Sequence, residues 1–267
     1  TKFSEESLIN LRYLSRIAKL DLSSTMIEGS GLEYVPKTRL TELKMRRCSM
    51  LQGQWYEKLS RFYELKKIDL SFNGVLQANS LEAITQLPLT SLDLSYCYSL
   101  GKGVGTHLSK MVNLEELYLS GCTNIPAKSF RGLGKIKSLG VLLLDETNIG
   151  YEGIRSIESL RSLHFLSMAY CQNLDEKSMR ALSNLKNLFH LVLSGCSSVN
   201  KKGLIALSNS NVYRLDLSGC FELPSDGLEA LMKFKNLKEV SLFRSPRAKL
   251  GAQVLQEMDN VSFKIVV

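Results

Sequence analysis

The chain has 267 residues, a formal net charge of +8, 44% apolar and 22% charged residues, and only 18 Gly and 5 Pro. These proportions lie near the globular average, which excludes a low-complexity or linker-dominated chain, and no apolar run approaches the roughly 20 residues that cross a bilayer. The length is enough to bury a substantial core.

The first residues, TKFSEESLIN, lack the basic start and apolar stretch of a secretory signal. Residues 1–16 are expected to form an amphipathic capping helix, with Phe3, Leu8, Leu11 and Leu14 covering the segment that begins at Ile17.

From Ile17 onward a nine-residue frame, L-x-x-L-x-L-x-x-[C/N/T/S], recurs at 17–25, 40–48, 65–73, 89–97, 114–122, 139–147, 163–171, 188–196, 212–220 and 237–245. Its fourth position advances in steps of 23 to 25 residues from Leu20 to Val240, the period of a solenoid repeat. Apolar positions four and six alternate with mostly polar ones, which predicts a short half-buried strand in each frame.

Between frames a second pattern appears, as in Ile125, Phe130, Leu133 and Ile136, or Leu174, Met179, Leu182 and Leu185. Its later members are helically spaced, so each unit is expected to run strand, turn, helix, loop. Strands pair about 4.8 Å apart while helices need about 8–10 Å, so stacked units must curve with the strands inside. The expected fold is an α/β horseshoe solenoid of about ten repeats over residues 17–249, with a concave parallel sheet, convex helices and a C-terminal cap over 250–267.

All six cysteines, Cys48, Cys97, Cys122, Cys171, Cys196 and Cys220, occupy the ninth position, which elsewhere holds Thr25, Asn73, Thr147 and Ser245. The shared property is a small buried hydrogen-bond donor for carbonyls left unpaired where the chain turns off the sheet. Unpaired thiols in a reducing intracellular compartment, cytoplasm or nucleus, are therefore expected. Spacings near 25 residues without any C-x-x-C pair argue against zinc, and no metal or cofactor is expected.

With frames such as LSGCTNI (119–125), LSGCSSV (193–199) and LSGCFEL (217–223), and the following Gly203-Leu204 and Gly227-Leu228, the chain resembles the cysteine-containing leucine-rich-repeat family. That resemblance implies a non-catalytic protein-interaction array, as in the substrate-binding halves of F-box ubiquitin ligases or in host-directed effectors. TKFSEESLINLRYLSR lacks the Leu-Pro start of an F-box, so a ligase adaptor would need that domain upstream.

No phosphate loop, nucleophile elbow or H-E-x-x-H helix is present, and Gly101, Gly103 and Gly105 read as a turn rather than a dinucleotide loop. His107, His164 and His190 fall in different units, Asp145-Glu146 reads as a pair of loop-edge charges, and a non-enzyme is expected.

Positions three and five are polar in units one to four, but Tyr118, Val141, Leu143, Phe165, His190 and Val192 form adjacent apolar rows in units five to eight, with Tyr96 and Tyr170 at the rim. A contiguous apolar patch marks a contact surface, and a lining that only helps the sheet pair is the alternative. A basic row, Lys135, Lys137, Arg161, Lys186, Lys233 and Lys235, lies on the loops entering the strands. No interleaved aromatic is evident there, so it reads as a solubility feature, and a monomer binding another protein is expected ahead of a nucleic-acid partner, with no membrane partner.

Overall fold

The computed structural model describes residues 5–37, 39–51, 53–245 and 264–266. Each frame contributes one short strand: β1 (Lys19–Asp21), β2 (Glu42–Lys44), β3 (Lys67–Asp69), β4 (Ser91–Asp93), β5 (Glu116–Tyr118), β6 (Val141–Leu143), β7 (Phe165–Ser167), β8 (His190–Val192), β9 (Arg214–Asp216) and β10 (Glu239–Ser241). With β11 (Lys264–Val266) they form a single sheet in sequence order. All pairings are parallel and in frame, with Leu20 opposite Leu43 at one end and Val240 opposite Ile265 at the other.

The eleventh strand adds to the ten expected. Ile265 pairs with Val240 although Ser262 stands where the frame has its first leucine. It lies within 250–267, most of which falls outside the described residues.

The convex side differs from the uniform set of helices that spacing predicts. The α-helices are short: α1 (Gly53–Tyr56), α2 (Val104–Leu108), α3 (Gly150–Ile157), α4 (Glu176–Leu182) and α5 (Lys201–Leu207). In other units 3-10 turns run over Ser30–Tyr34, Ala78–Ile84, Ala127–Lys135 and Ser225–Lys233, and in the second unit α1 passes directly into a 3-10 turn over Glu57–Arg61. Entry chemistry separates some of them. Asp175 and Asn200 cap α4 and α5, accepting from the N–H of Ser178 and Gly203 at 2.8 and 3.0 Å, whereas the turns after Pro126 and Pro224 have no capping side chain. Segments this short do not hold a helix alone, so stacking on the neighbouring unit decides their form.

The N-terminal segment is likewise a 3-10 helix, Glu5–Tyr13, rather than an amphipathic α-helix. Leu8 is buried, Leu11 half-buried and Leu14 exposed, and Phe3 lies outside the described residues. Its anchor is polar: the Glu5 carboxylate accepts from the backbone N–H of Glu28 at 2.8 Å, from Gly29 and Gly31, and from Ser30 Oγ at 2.8 Å.

Beneath the turns runs the expected ladder, with a refinement in its reach. Each thiol donates to the position-six carbonyl of the preceding unit, from Cys122 to Leu94 at 3.0 Å through Cys220 to Leu193 at 3.3 Å. Thr25 and Thr147 instead reach their own unit's carbonyls, Leu22 and Leu144, both at 2.6 Å. The longer Asn73 does both, donating to Met45 at 2.7 Å and Leu70 at 2.8 Å, and its Oδ1 accepts the Cys48 N–H at 2.9 Å. All six cysteines are free and buried. Burial pushes the Cys97 and Cys122 thiols up to about 12 and that of Cys220 up to about 11.

Candidate functional site

The sheet register builds the apolar rows directly. Val141 lies opposite Phe165 and Phe165 opposite His190; in the adjacent row Tyr118 faces Leu143, Leu143 faces Ser167 and Ser167 faces Val192. Tyr118, Val141, Leu143, Phe165, His190 and Val192 are all half-buried. The Phe165 and His190 rings meet edge to face at 4.8 Å and 72°. Burial, and then the Arg214 charge, hold the His190 imidazole below its ordinary value, which favours the neutral ring.

The charges next to the rows have partners: Arg214, opposite His190, lies 3.6 Å from Glu239 on the next strand, and Glu116, opposite Val141, accepts from the Tyr118 hydroxyl at 3.4 Å. Farther out, Glu42 sits 3.1 Å from Lys19 on the neighbouring strand and 3.5 Å from Lys44 on its own. The aspartates facing the concavity are occupied as well: Asp21, Asp69, Asp93 and Asp216 each accept the N–H two residues on, at 2.8 to 2.9 Å. The middle rows are left as the apolar stretch.

One polar group interrupts them. Ser167, between Leu143 and Val192, is 6% exposed and donates to Asp145, which also accepts from Ser120 Oγ at 3.2 Å and from the Ala169 N–H at 2.8 Å. Asp145 is thus a half-buried acceptor for donors of the units on either side and not the loop-edge charge that its sequence position suggests. A signal for this is present in the frame, since Ser167 stands where Asp21, Asp69, Asp93 and Asp216 recur.

Tyr96 and Tyr170 stand on the rim, at the eighth frame position. There every unit turns through left-handed backbone: Ser24, Arg47, Phe72, Tyr96, Gly121, Glu146, Tyr170, Gly195, Gly219 and Arg244 have φ between 55° and 71°. For the non-glycine residues this costs roughly 1–2 kcal/mol each. The two tyrosines lie flat on the next unit's glycine, where a Cβ on Gly121 or Gly195 would come within 2.3 Å of the ring. Tyr96 also stacks on Phe72 at 4.5 Å and donates to Glu146 at 3.2 Å, and Phe72 is covered by the Arg46 and Arg47 guanidinium groups at 4.4 and 4.8 Å. Their packing partners therefore belong to the rim, and the structure gives the rim and the apolar rows separate neighbourhoods.

The histidines serve different surroundings: His107 Nδ1 is 2.7 Å from Glu82, His164 Nδ1 is 3.2 Å from the Ser162 carbonyl, and His190 packs on Phe165. Among the described residues no group of three or more His, Cys, Asp or Glu is placed to hold a metal, and no helix is long and apolar enough to cross a membrane.

A solved structure of the TLR13–ssRNA13 complex overlaps 96% of this chain with a TM-score of 0.68 at 18% identity, using 36% of that chain. The fold is a leucine-rich-repeat solenoid. Cuscuta receptor 1 of Solanum lycopersicum is 24% identical over 172 residues, 58% of this chain and 15% of the receptor. A chain of the yeast Rad7–Elc1 complex overlaps with a TM-score of 0.49 at 16% identity, covering 99% of this chain and 84% of that one. No protein-family model matches. The array thus spans a small part of the receptor and about a third of the TLR13 chain.

Proposed function

We propose that this array is a non-catalytic scaffold that seats a partner protein on the concave rows centred on Phe165. The carrying observation is the contiguity of Val141, Phe165 and His190 beside Leu143 and Val192, half-buried and flanked by Glu116, which accepts from Tyr118, and by Arg214, which pairs with Glu239. Interface energy concentrates in a few aromatic or apolar anchors, and a neutral imidazole packed on a phenyl ring is such an anchor at low desolvation cost. A partner that completes the patch also covers Ser167 and Asp145, whose hydrogen bonds are already closed within the array.

The ladder of donor thiols supports the cysteine-containing subtype, and six free buried thiols suit a reducing compartment. The ubiquitin-ligase substrate receptor is the finer form of this reading. An F-box encoded upstream in the full gene would carry it.

The test uses partners captured on the intact array. Phe165→Ala and Leu143→Asp are expected to weaken binding by about 2 kcal/mol or more while leaving the unfolding midpoint in place. Unchanged binding, or loss of the fold in both variants, would assign the rows to sheet packing instead.

A further inference from the structure

The frame's second position carries an aromatic pair outside the concave rows. Phe189 and Tyr213 are 55% and 36% exposed, yet their rings stack in parallel at 4.9 Å and 7°. Main-chain bonds order this row: the Phe189 N–H donates to His164 O, Tyr213 to Phe189 O and Lys238 to Tyr213 O, each at 2.9 Å. Asparagine side chains tie the loops beneath it, Asn187 to Arg161 O at 2.5 Å and Asn211 to Lys186 O at 2.7 Å. The rings are therefore displayed on a fixed edge.

They line an open groove of 520 Å³ together with Lys186, Lys235 and Lys238, three asparagines and no carboxylate. All three lysines are exposed. Lys186 Nζ donates to the Ser183 carbonyl at 2.9 Å, which places its charge without neutralising it. The basic loop row expected to lack aromatics has them here, because residues at 186, 189, 213, 235 and 238 come together only when units stack.

We propose that this groove binds single-stranded nucleic acid, with a base extending the Phe189–Tyr213 stack and its phosphates held by the three lysines. A base supplies a flat π-face to continue a parallel stack, and the strand brings a phosphate with every base; sequence-tolerant single-strand sites combine these two features. An acidic peptide would satisfy the lysines but leave the stacked faces unused. A duplex keeps its bases stacked on each other and offers none to the rings. The site lies on the loop edge, separate from the Phe165 rows.

The experiment is fluorescence anisotropy of the intact chain with a fluorescein-labelled 12-nucleotide oligo(dT), a duplex of equal length and a labelled polyglutamate peptide. The single strand is expected to bind most tightly, with a slope of log Kd against log salt of about 2 for three neutralised phosphates. Phe189→Ala with Tyr213→Ala should weaken it tenfold or more, and Phe189→Leu, which keeps apolar bulk, should weaken it in the same direction. Replacing Lys186, Lys235 and Lys238 by Ala should abolish the salt slope, while Phe165→Ala should change nothing. Polyglutamate binding as tight as the oligonucleotide, or an oligonucleotide affinity indifferent to Phe189→Leu and the double variant, would overturn the proposal.

Discussion

The backbone N–H of Ala169 donates to Asp145 Oδ1 at 2.8 Å, so the seventh unit takes from the sixth an acceptor that four other units supply from their own strand. Asp145→Ala leaves the Ala169 N–H and the Ser167 hydroxyl without this partner, and a lost hydrogen bond to a charged group costs about 1.5–3 kcal/mol. Adding Ser167→Asp rebuilds the acceptor within the unit and should recover most of that loss in urea unfolding. A double variant no more stable than Asp145→Ala would show that Asp145 is not a substitute for the missing aspartate.

The ladder makes the ninth position selective for shape and donor together. Cys122→Leu should cost about 1–3 kcal/mol by overpacking, whereas Cys122→Asn has a precedent in Asn73 and should be tolerated. At pH 8 the native chain should react with a thiol reagent far more slowly than the unfolded chain, since burial holds Cys97 and Cys122 at about 12 and thiolate is the reactive form. Prompt labelling of all six thiols in native buffer would contradict this.

The three glycines after β4 should respond differently to alanine. Gly105 faces the convex turn of the next unit, where an added Cβ would lie 1.8 Å from the Ser129 carbonyl oxygen, and backbone cannot yield as a side-chain end does. Gly105→Ala should lower the thermal midpoint sharply. Gly101→Ala meets only the Asn124 carbonyl at 3.9 Å and should be silent, while Gly103, at φ +95° in open space, should show a smaller cost from backbone strain alone. Equal effects at Gly101 and Gly105 would refute a role for the close backbone approach.

Glu5 couples the N-terminal segment to pH. Burial pushes its carboxyl up, but the bonds from Gly31, Ser30, Gly29 and Glu28 outweigh that and hold it below the usual 4.5. A depressed folded value means the stabilisation is fully present above about pH 4.5 and is lost as pH falls through the folded value. Hydrogen exchange at the Gly31 amide should therefore accelerate under acid before the sheet amides do. Glu5→Gln should show fast Gly31 exchange already at pH 7, and protection in that variant matching the native chain would remove Glu5 as the anchor.

The repeat was legible because its cause is local. A frame with leucines at four and six can bury them only as a strand, and ten frames 23 to 25 residues apart can cover one another only by stacking. The ninth position was legible for the same reason, since every unit presents the same unpaired carbonyl. Rows such as Val141–Phe165–His190 could be drawn from the frame because parallel in-register pairing preserves position number from unit to unit.

The choice between α and 3-10 turns was not legible, because apolar spacing over a single convex turn fits both and packing on the next unit decides. The missing aspartate at 167 was visible in the frame, but that Asp145 takes its place was not, because that depends on the rise from one strand to the next.

By itself, then, the sequence determined the solenoid, its strand register and the chemical type of its ladder, all consequences of a pattern repeated within each unit. Only the tertiary structure decided which unit each ladder donor reaches, why Gly105 must be bare, and that Phe189 and Tyr213 stack among Lys186, Lys235 and Lys238. Those outcomes depend on distances between groups about 25 residues or more apart, which exist only once neighbouring units have packed.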